Sequence, residues 1–219
     1  MSFILLDSFI KTKHMHFRIQ KVAVLGSGVM GSGIACHLAN VGFEVLLLDI
    51  PDPKATMPAQ KNNLVDEALK KAIASKPAPL YDKSFASKIS TGNLEDDLDK
   101  IATANWIIEV IVERLDIKQQ LFEKVDQFRA PKSLVSTNTS SIPIKLLAEG
   151  RSKDFIYHFC GTHFFNPPRY LQLLEIIPTQ NTAPQVIDFF MTFGAEILGK
   201  KTVLCKDTPA FIANRIGVM

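Results

Sequence analysis

The sequence predicts an α/β fold of the Rossmann type, a doubly wound and mostly parallel sheet with helices on both faces. Strand-like and helix-like patterns alternate along the 219-residue chain from Lys21 onward, which is typical of βαβ units. The first strand-like run ends in a glycine-rich turn that opens a helical pattern. The second ends near Asp49, 18 residues after the last glycine of that turn. These observations set the fold class and mark the turn as a candidate site.

Four strands are predicted in the first half of the chain. K-V-A-V-L-G is rich in strand-forming residues, and Met30, Ile34 and Leu38 follow it at helical spacing. A Lys-rich amphipathic helix stops at K-P-A-P-L, because proline ends a helix. The predicted elements are strand 21–26, helix 30–40, strand 43–50, helix 59–76 and strands 89–90 and 106–112.

The second half continues the same alternation. The predicted elements are helix 114–128, strand 133–140, helix 142–149, strands 161–165 and 173–177, helix 184–198, strand 202–206 and a helix over 207–216. The chain stops at Met219 inside this last apolar helix. We therefore expect 207–219 to be the start of a C-terminal helical domain and the chain to be an incomplete protein.

The composition is that of an ordinary globular protein. The chain is 47% apolar and 21% charged, and its net charge of +3 lacks the concentrated basic face of a nucleic-acid-binding protein. Its apolar runs fall short of the 18 residues that a membrane span needs. We therefore expect neither nucleic acid nor a membrane as a partner.

Three cysteines, Cys36, Cys160 and Cys205, have no C-x-x-C spacing, so neither a disulfide framework nor a metal site is expected. An odd number of cysteines without a disulfide pattern fits a reducing compartment. We therefore expect the protein in the cytoplasm, or in the mitochondrial matrix of a eukaryote. Residues 1–20 are interpreted as an N-terminal extension, since the apolar stretch 3–6 is too short for a signal peptide. Met15 is an alternative start.

The glycine-rich turn predicts a dinucleotide site. Its six residues form a G-x-G-x-x-G motif: Gly26, Ser27, Gly28, Val29, Met30 and Gly31. Gly26 permits the tight turn, Gly28 lets the backbone approach a pyrophosphate, and Gly31 allows close helix–strand packing. The helix amino end then faces the phosphates. Asp49 is suited to the adenosine ribose hydroxyls and would repel a 2′-phosphate, which favours NAD over NADP. The alternative is a glycine turn without a ligand.

A second candidate site pairs His163 with Glu175. Both lie in apolar strand-like segments, where a carboxylate is costly unless it is paired. If the loop 166–171 joins the two strands, the side chains can face each other. A carboxylate would then fix the imidazole tautomer, and histidine titrates near neutral pH, as a general base requires. The alternative is a buried structural histidine beside a coincidental glutamate.

Taken together, six motifs resemble the 3-hydroxyacyl-CoA dehydrogenase family. They are V-L-G-S-G-V-M-G-S-G-I-A, E-V-I-V-E-R-L-D-I-K, N-T-S-S, H-F-F-N-P, L-L-E-I-I and C-K-D-T-P-A-F-I-A-N-R, in the family's order from Lys21 to the end. K-P-A-P-L and G-N-L-E-D-D are most similar to the dehydrogenase part of bacterial multifunctional fatty-acid β-oxidation proteins. The resemblance implies an NAD-binding domain over 21–206 that takes part in oxidising (S)-3-hydroxyacyl-CoA to 3-ketoacyl-CoA.

The resemblance also implies roles on the substrate side. His163 would be the general base for the C3 hydroxyl, and Glu175 its carboxylate partner. Ser140, in N-T-S-S, would lie near the substrate hydroxyl and the nicotinamide, and Asn214 would hold the substrate oxygen. N-capping of the helix that Pro143 begins is an alternative explanation for Ser140, and a bond to a loop is one for Asn214.

On the cofactor side, the resemblance assigns contacts to Asn166, Glu113 and Lys118. Glu113 and Lys118 are alternatively solvated surface charges. The chain departs from the family at its CoA-binding serine and lysine, where the best register places Ala68 and Ser75. The family's helical domain, which closes the substrate cleft and forms a homodimer, lies beyond the end of this chain.

Two other functions remain open at this level. One is a module that binds the dinucleotide without turnover, because catalysis needs the substrate held against the nicotinamide. The other is a dehydrogenase of free 3-hydroxy acids. Activity on CoA thioesters but not on free acids would separate the two dehydrogenases.

Overall fold

The computed structural model describes residues 17–217, which form one eight-stranded sheet with helices on both faces. The strands are β1 (Lys21–Leu25), β2 (Glu44–Asp49), β3 (Ile89–Asn93), β4 (Trp106–Glu109), β5 (Leu134–Thr137), β6 (Phe159–Phe164), β7 (Leu173–Pro178) and β8 (Lys201–Leu204). The helices are α1 (Val29–Asn40), α2 (Asn63–Ile73), α3 (Leu115–Phe128), α4 (Ile144–Ala148), α5 (Lys153–Tyr157), α6 (Pro184–Glu196) and α7 (Ala213–Gly217).

The strand order is β3-β2-β1-β4-β5-β6-β7-β8. The first six strands in this order pair in parallel, β6 and β7 pair antiparallel, and β7 and β8 pair in parallel. The predicted doubly wound, mostly parallel sheet is therefore confirmed. Because the chain winds one way from β1 and the other way from β4, a crevice opens between their carboxyl ends, where such folds bind ligands.

Two apolar cores cover the two faces of the sheet. Val22 and Val24 of β1 face one core, which α1 and α6 complete, and Ala23 and Leu25 face the other. Burial on both faces explains why these strands read as continuous apolar runs. Phe17, at the start of the described residues, packs its ring 5.4 Å from Phe189. Residues 1–16, which include Met15 and the stretch 3–6, lie outside the described residues.

Several element boundaries differ from the prediction. The helix predicted over 59–76 is a 3₁₀ turn (Pro58–Gln60) followed by α2, which ends before Pro77 because a residue preceding proline disfavours helix. The strand predicted over 106–112 ends at Glu109, whose side chain turns back to accept a hydrogen bond from the amide of Ile111. Helix α5 was not predicted, although Ser152 caps it.

The helix predicted over 207–216 is wrong in its first half. Ala210 and Phe211 have φ values of 61° and 45°, which are left-handed and interrupt a helix, so α7 begins only at Ala213. Within residues 17–217 no helix is long and apolar enough to cross a bilayer. The same residues contain no cluster of three or more His, Cys, Asp or Glu side chains arranged to bind a metal.

Candidate active site

The predicted site residues gather at one edge of the sheet. The glycine turn follows β1, Glu113 follows β4, Ser140 follows β5, and His163 lies near the end of β6. These are the carboxyl ends of four parallel strands, which lie at the same edge. The fold therefore brings together residues that are up to 137 positions apart in the chain, from Gly26 to His163.

The three glycines of the turn have different surroundings. A Cβ atom on Gly26, whose φ is +110°, would lie 2.6 Å from the carbonyl oxygen of Val110, and one on Gly31 would lie 1.8 Å from that of Gly26. A Cβ atom on Gly28 would meet nothing within 4 Å. The first and third glycines are therefore required by packing, whereas the second faces open space.

A cavity of about 650 Å³ adjoins this turn. Its lining includes Gly26, Gly28, Asp49, Ile50 and Val110. Amide groups at the start of a helix attract phosphates, and apolar walls suit a flat base. The residues present therefore fit a dinucleotide, and Gly28 and Asp49 are among those that would hold it.

Ser27 holds the Asp49 side chain. The backbone amide and the hydroxyl of Ser27 each donate to Oδ2 of Asp49 at 2.6 Å, and the amide of Ile50 donates to Oδ1 at 2.7 Å. Ser27 was predicted as a cofactor residue, and the structure shows that its hydroxyl is directed at Asp49. Val29 is 75% exposed, whereas Met30 packs against the core.

The structure brings His163 and Glu175 together as the sequence predicts. They are directly opposite each other in the antiparallel pair β6–β7, with Nδ1 of His163 2.7 Å from Oε2 of Glu175. Glu175 is fully buried and His163 nearly so. Because Nδ1 is engaged by the carboxylate, Nε2 is the ring nitrogen available to a ligand.

The second oxygen of Glu175 contacts the start of α7. Oε1 accepts hydrogen bonds from the amides of Ile212, at 3.1 Å, and Ala213, at 2.8 Å. Asn214, half-buried, is the next residue of this short helix. Glu175 therefore links His163 to the element that carries Asn214, a connection that the sequence did not indicate.

Glu113 organises the N-T-S-S loop that carries Ser140. One of its oxygens accepts from the hydroxyl of Thr139 at 2.5 Å, from the amides of Ser140 and Ser141 at 2.9 and 3.0 Å, and from the Ser141 hydroxyl. Partial burial acts to raise the pKa of Glu113, but the Thr139 hydroxyl, the charge of Lys118 and the two amides lower it to about 2. Glu113 is therefore a carboxylate at neutral pH.

Ser140 is not the cap of α4. The amides of Ile144 and Lys145 bond to the carboxylate of Asp207, at 2.8 and 2.9 Å. The capping explanation for Ser140 is therefore wrong, and a residue 67 positions away caps this helix. The Ser140 hydroxyl makes only a long contact of 3.5 Å with Glu113, which leaves it free to meet a ligand at this edge.

Lys118 lies behind the site and is not a surface charge. Its side chain is 1% exposed, and its ammonium group lies 2.5 Å from Oε1 of the fully buried Glu109 and 3.4 Å from Glu113. The interpretation of Lys118 as a solvated charge is wrong, and direct contact with a cofactor is not what its position favours. It supports Glu113 from the protein interior.

Glu109 is a site residue that sequence reasoning missed. It ends β4, and its second oxygen accepts from the Thr137 hydroxyl at 2.5 Å. Burial raises the pKa of Glu109, while Lys118, Thr137 and the Ile111 amide oppose this shift. The available signal was an acidic residue inside the apolar run W-I-I-E-V-I-V, the same signal that identified Glu175.

A second cavity, of about 370 Å³, lies on the α1–α2 side of the glycine turn. Both departures from the family pattern, Ala68 and Ser75, line it, and Lys71 adds a cation. Arg169 in its wall stacks on Tyr81, 4.2 Å from the ring centre, and donates to two carbonyl groups of segment 78–80. Asn166 is exposed in the same loop, two residues after the end of β6.

The three cysteines are buried free thiols. Burial, with the nearby Glu175 carboxylate, raises the pKa of Cys205 to about 12, and burial alone raises that of Cys36 to about 11. These side chains are therefore un-ionised at neutral pH and unsuited to nucleophilic chemistry.

A Rossmann sheet with a glycine turn at its crevice is the architecture of a dinucleotide-binding domain, and here a histidine–carboxylate pair lies at the same edge. The comparison with known proteins is more specific. Residues 21–208 match the family described as 3-hydroxyacyl-CoA dehydrogenase, NAD binding domain, and the chain belongs to this family. NAD is the dinucleotide that the domain binds.

Relatives agree with this assignment. The chain is 53% identical over 214 residues to a probable 3-hydroxyacyl-CoA dehydrogenase of Bacillus subtilis, covering 93% of this chain and 27% of the relative. It is 42% identical to a putative fatty acid oxidation complex trifunctional enzyme of Rickettsia prowazekii, covering 93% and 28%. The chain thus spans about a quarter of the length of these curated relatives.

Solved structures show the same fold. The crystal structure of 3-hydroxybutyryl-CoA dehydrogenase from Escherichia coli K12 superposes with a TM-score of 0.73 at 31% identity. The match covers 92% of this chain and 41% of that one. The shared region is the dinucleotide-binding sheet, which is where the glycine turn and the His163–Glu175 pair lie.

Proposed function

We propose that this chain is the NAD-binding and base-bearing part of an NAD-dependent (S)-3-hydroxyacyl-CoA dehydrogenase of fatty-acid β-oxidation. The observation that carries the proposal is the position of the His163–Glu175 pair at the same sheet edge as a ligand-sized cavity beside the glycine turn. The chain's similarity to a trifunctional enzyme of fatty acid oxidation supports the metabolic setting. We propose the same domain boundaries as the sequence predicts: a Rossmann domain over 21–206 and the start of a helical domain at 207.

The proposed chemistry removes a proton and a hydride from the C3 carbinol. NAD, when bound, supplies the hydride acceptor. Nε2 of His163 takes the hydroxyl proton as the O–H bond breaks, the C3–H bond breaks with its electron pair, and the C3–O bond becomes a carbonyl. Glu175, through its 2.7 Å contact to Nδ1, selects the tautomer of the neutral ring whose Nε2 can accept the proton, and it stabilises the imidazolium that forms.

Ser140 and Asn214 are proposed to contact the substrate oxygen. Ser140 has a hydroxyl without a short protein partner, and Asn214 stands one residue after an amide bonded to Glu175. Glu113 is proposed to position Ser140 and to border the nicotinamide, with Asn166 beside it. Lys71, at the cavity that Ala68 and Ser75 line, is the cation proposed to meet a CoA phosphate in place of the family's lysine.

Calorimetric titration of the folded chain with NADH and with NADPH tests the cofactor half of the proposal. We expect one-to-one NADH binding that is clearly tighter than NADPH binding, because Asp49 faces the ribose position. No NADH binding by a folded chain would contradict the proposal.

The substrate half of the proposal is tested by the reverse reaction in a longer protein that joins this chain to a helical domain of the family. We expect NADH absorbance to fall when a 3-ketoacyl-CoA is added and to stay constant with the free 3-keto acid. His163→Ala is expected to abolish this turnover while leaving NADH affinity within a few-fold. Retained turnover in His163→Ala would refute the role of the base. Inactivity of the longer wild-type protein would instead favour a dinucleotide-binding module.

A further inference from the structure

The two oxygens of the Glu175 carboxylate form hydrogen bonds with different parts of the chain. Oε2 bonds to His163, and Oε1 accepts the amides of Ile212 and Ala213. The side chain is fully buried, so its rotamer is set by these partners and not by water. The Cys205 thiol also lies beside this carboxylate but is only a weak donor. The two amides are therefore the strong donors to Oε1, and without them the carboxylate would be driven to rotate or rearrange.

The amides reach Glu175 because of an unusual turn. Ala210 and Phe211 both have left-handed φ values, 61° and 45°, which are rare for residues other than glycine and rarer still for a bulky one. The turn closes with a hydrogen bond from the Phe211 amide to the Thr208 carbonyl. Such outliers persist only where the surrounding structure imposes them, and they concentrate at functional sites.

The Phe211 side chain supplies the constraint. It is 3% exposed and belongs to the apolar core on one face of the sheet. Its ring lies 5.8 Å from the His163 ring in an edge-on arrangement, and the Phe165 ring lies 4.5 Å from His163. The other end of the segment is fixed by Asp207, which bonds to the amides that begin α4.

We propose that Phe211 is a positioning residue for His163 that acts through Glu175. Its burial holds the left-handed turn, the turn aims the amides of Ile212 and Ala213 at Oε1, and Oε2 is thereby presented to Nδ1. The imidazole is held as the Nδ1–H tautomer, with Nε2 free to accept a proton. The role of His163 as a base rests on the proposed dehydrogenase reaction, whereas the effect of Phe211 on the His163 tautomer does not depend on it.

The test is the tautomer of His163, observed by ¹⁵N-detected NMR of the ring in the 219-residue chain without ligands. We expect one Nδ1–H tautomer in the wild type. In Phe211→Ala, we expect a mixture of tautomers and exchange of the Nδ1 proton at least tenfold faster. Phe211→Leu, which keeps most of the apolar volume, should largely restore the wild-type signal. A folded Phe211→Ala protein with an unchanged tautomer and exchange rate would overturn the proposal.

A matched pair at Ala210 keeps the test decisive if Phe211→Ala does not fold. Ala210→Gly retains the left-handed turn and should leave the His163 signals unchanged. Ala210→Val disfavours the turn and should give the same mixture of tautomers. Identical His163 signals in the Gly and Val variants would also overturn the proposal.

NADH affinity separates this proposal from the proposed function. Phe211 does not line the cavity beside the glycine turn, so the affinity of Phe211→Ala for NADH should stay within twofold of the wild type. If the wild type binds no NADH but the tautomer responds as expected, the proposed function fails and the positioning role stands. If NADH binds and the tautomer is unmoved, only the positioning role fails.

Discussion

The glycine turn and the His163–Glu175 pair lie at the same sheet edge but are built in opposite ways. The turn is made of backbone, and its function depends on an absence of side chains in front of Gly28. The pair is made of buried side chains, with each oxygen of Glu175 hydrogen-bonded. A binding surface for a phosphate can be encoded by six consecutive residues, whereas a positioned base needs contacts from three separate segments.

The largest expected effect separates packing from binding within the turn itself. Gly31→Val is expected to destabilise the fold by on the order of 4 kcal/mol or more, because its Cβ would lie 1.8 Å from a carbonyl oxygen. Gly28→Ala should change the free energy of unfolding by less than about 0.5 kcal/mol. Urea unfolding of both variants measures the difference.

The same Gly28→Ala variant is expected to weaken NADH binding about tenfold, since a methyl group would occupy the space in which the backbone approaches the pyrophosphate. Calorimetry with NADH provides the readout. Equal stability losses in the two glycine variants, or unchanged NADH affinity in Gly28→Ala, would contradict the assignment of Gly31 to packing and Gly28 to binding.

Glu109→Ala tests whether the buried Lys118 ammonium needs the Glu109 carboxylate as its partner. It would leave the Lys118 ammonium, 1% exposed, without its closest partner, which costs about 3–5 kcal/mol. The double variant Glu109→Leu with Lys118→Met removes both charges and should recover most of this stability. Denaturant unfolding measures both, and a double variant no more stable than Glu109→Ala would contradict a penalty from the unpaired charge.

His37 provides the contrast to the paired His163. It is buried in α1, its Nε2 is 3.1 Å from the Leu198 carbonyl oxygen, and its Nδ1 has no hydrogen-bond partner among the described residues. Burial, with the charges of Lys200 and Arg169, lowers its pKa to about 4. The unfolded chain, with a histidine pKa of about 6.5, therefore binds a proton at mildly acid pH that the folded chain does not.

Folding stability should consequently fall as the pH drops from about 6.5 to about 4, by on the order of 3 kcal/mol from this residue. His37→Gln keeps a side-chain amide donor and removes the titration, so its stability should decline less over the same interval. Parallel stability profiles for the two proteins between pH 7 and pH 4, a range about those two pKa values, would contradict the assignment.

The smallest expected effect concerns cofactor choice. Ser27→Ala removes the 2.6 Å hydrogen bond from the hydroxyl to Asp49 but keeps the one from the backbone amide. We expect NADH binding to weaken by about 1 kcal/mol, or roughly fivefold. Asp49→Ala should in addition erode the preference for NADH over NADPH, as measured by calorimetry with both dinucleotides. An unchanged preference in Asp49→Ala would remove its proposed role at the ribose.

The sequence was most informative where the structure depends on neighbours along the chain. The G-x-G-x-x-G turn and most strand positions are predictable because apolar periodicity and glycine requirements act locally. The pairing of His163 with Glu175 was predictable because an antiparallel connection of a few residues brings nearby strands into register. The helix over 207–216 was not, because nothing local to Ala210 and Phe211 announces a left-handed turn that core burial imposes.

The side-chain roles show the same division. The sequence left Lys118 open between a cofactor contact and a surface charge. Its burial next to Glu109, which also binds Thr137, shows it as an internal support. The sequence left Ser140 open between a substrate contact and a helix cap, and the position of Asp207 shows that the cap comes from elsewhere. For Ser140 the deciding contact comes from a segment remote in sequence. For Lys118 it is burial on one face of α3, which the local sequence does not fix.

The sequence by itself determined the Rossmann sheet, the dinucleotide turn, the acidic residue at the end of β2 and the family, since each depends on contiguous or periodic residues. Only the tertiary structure decided how the carboxylates are used. Glu113 holds the Ser140 loop, Glu109 neutralises Lys118, and Glu175 joins His163 to the start of α7. The physical reason is that a buried charge must find partners in three dimensions, and those partners are supplied by the fold and not by neighbours in the chain.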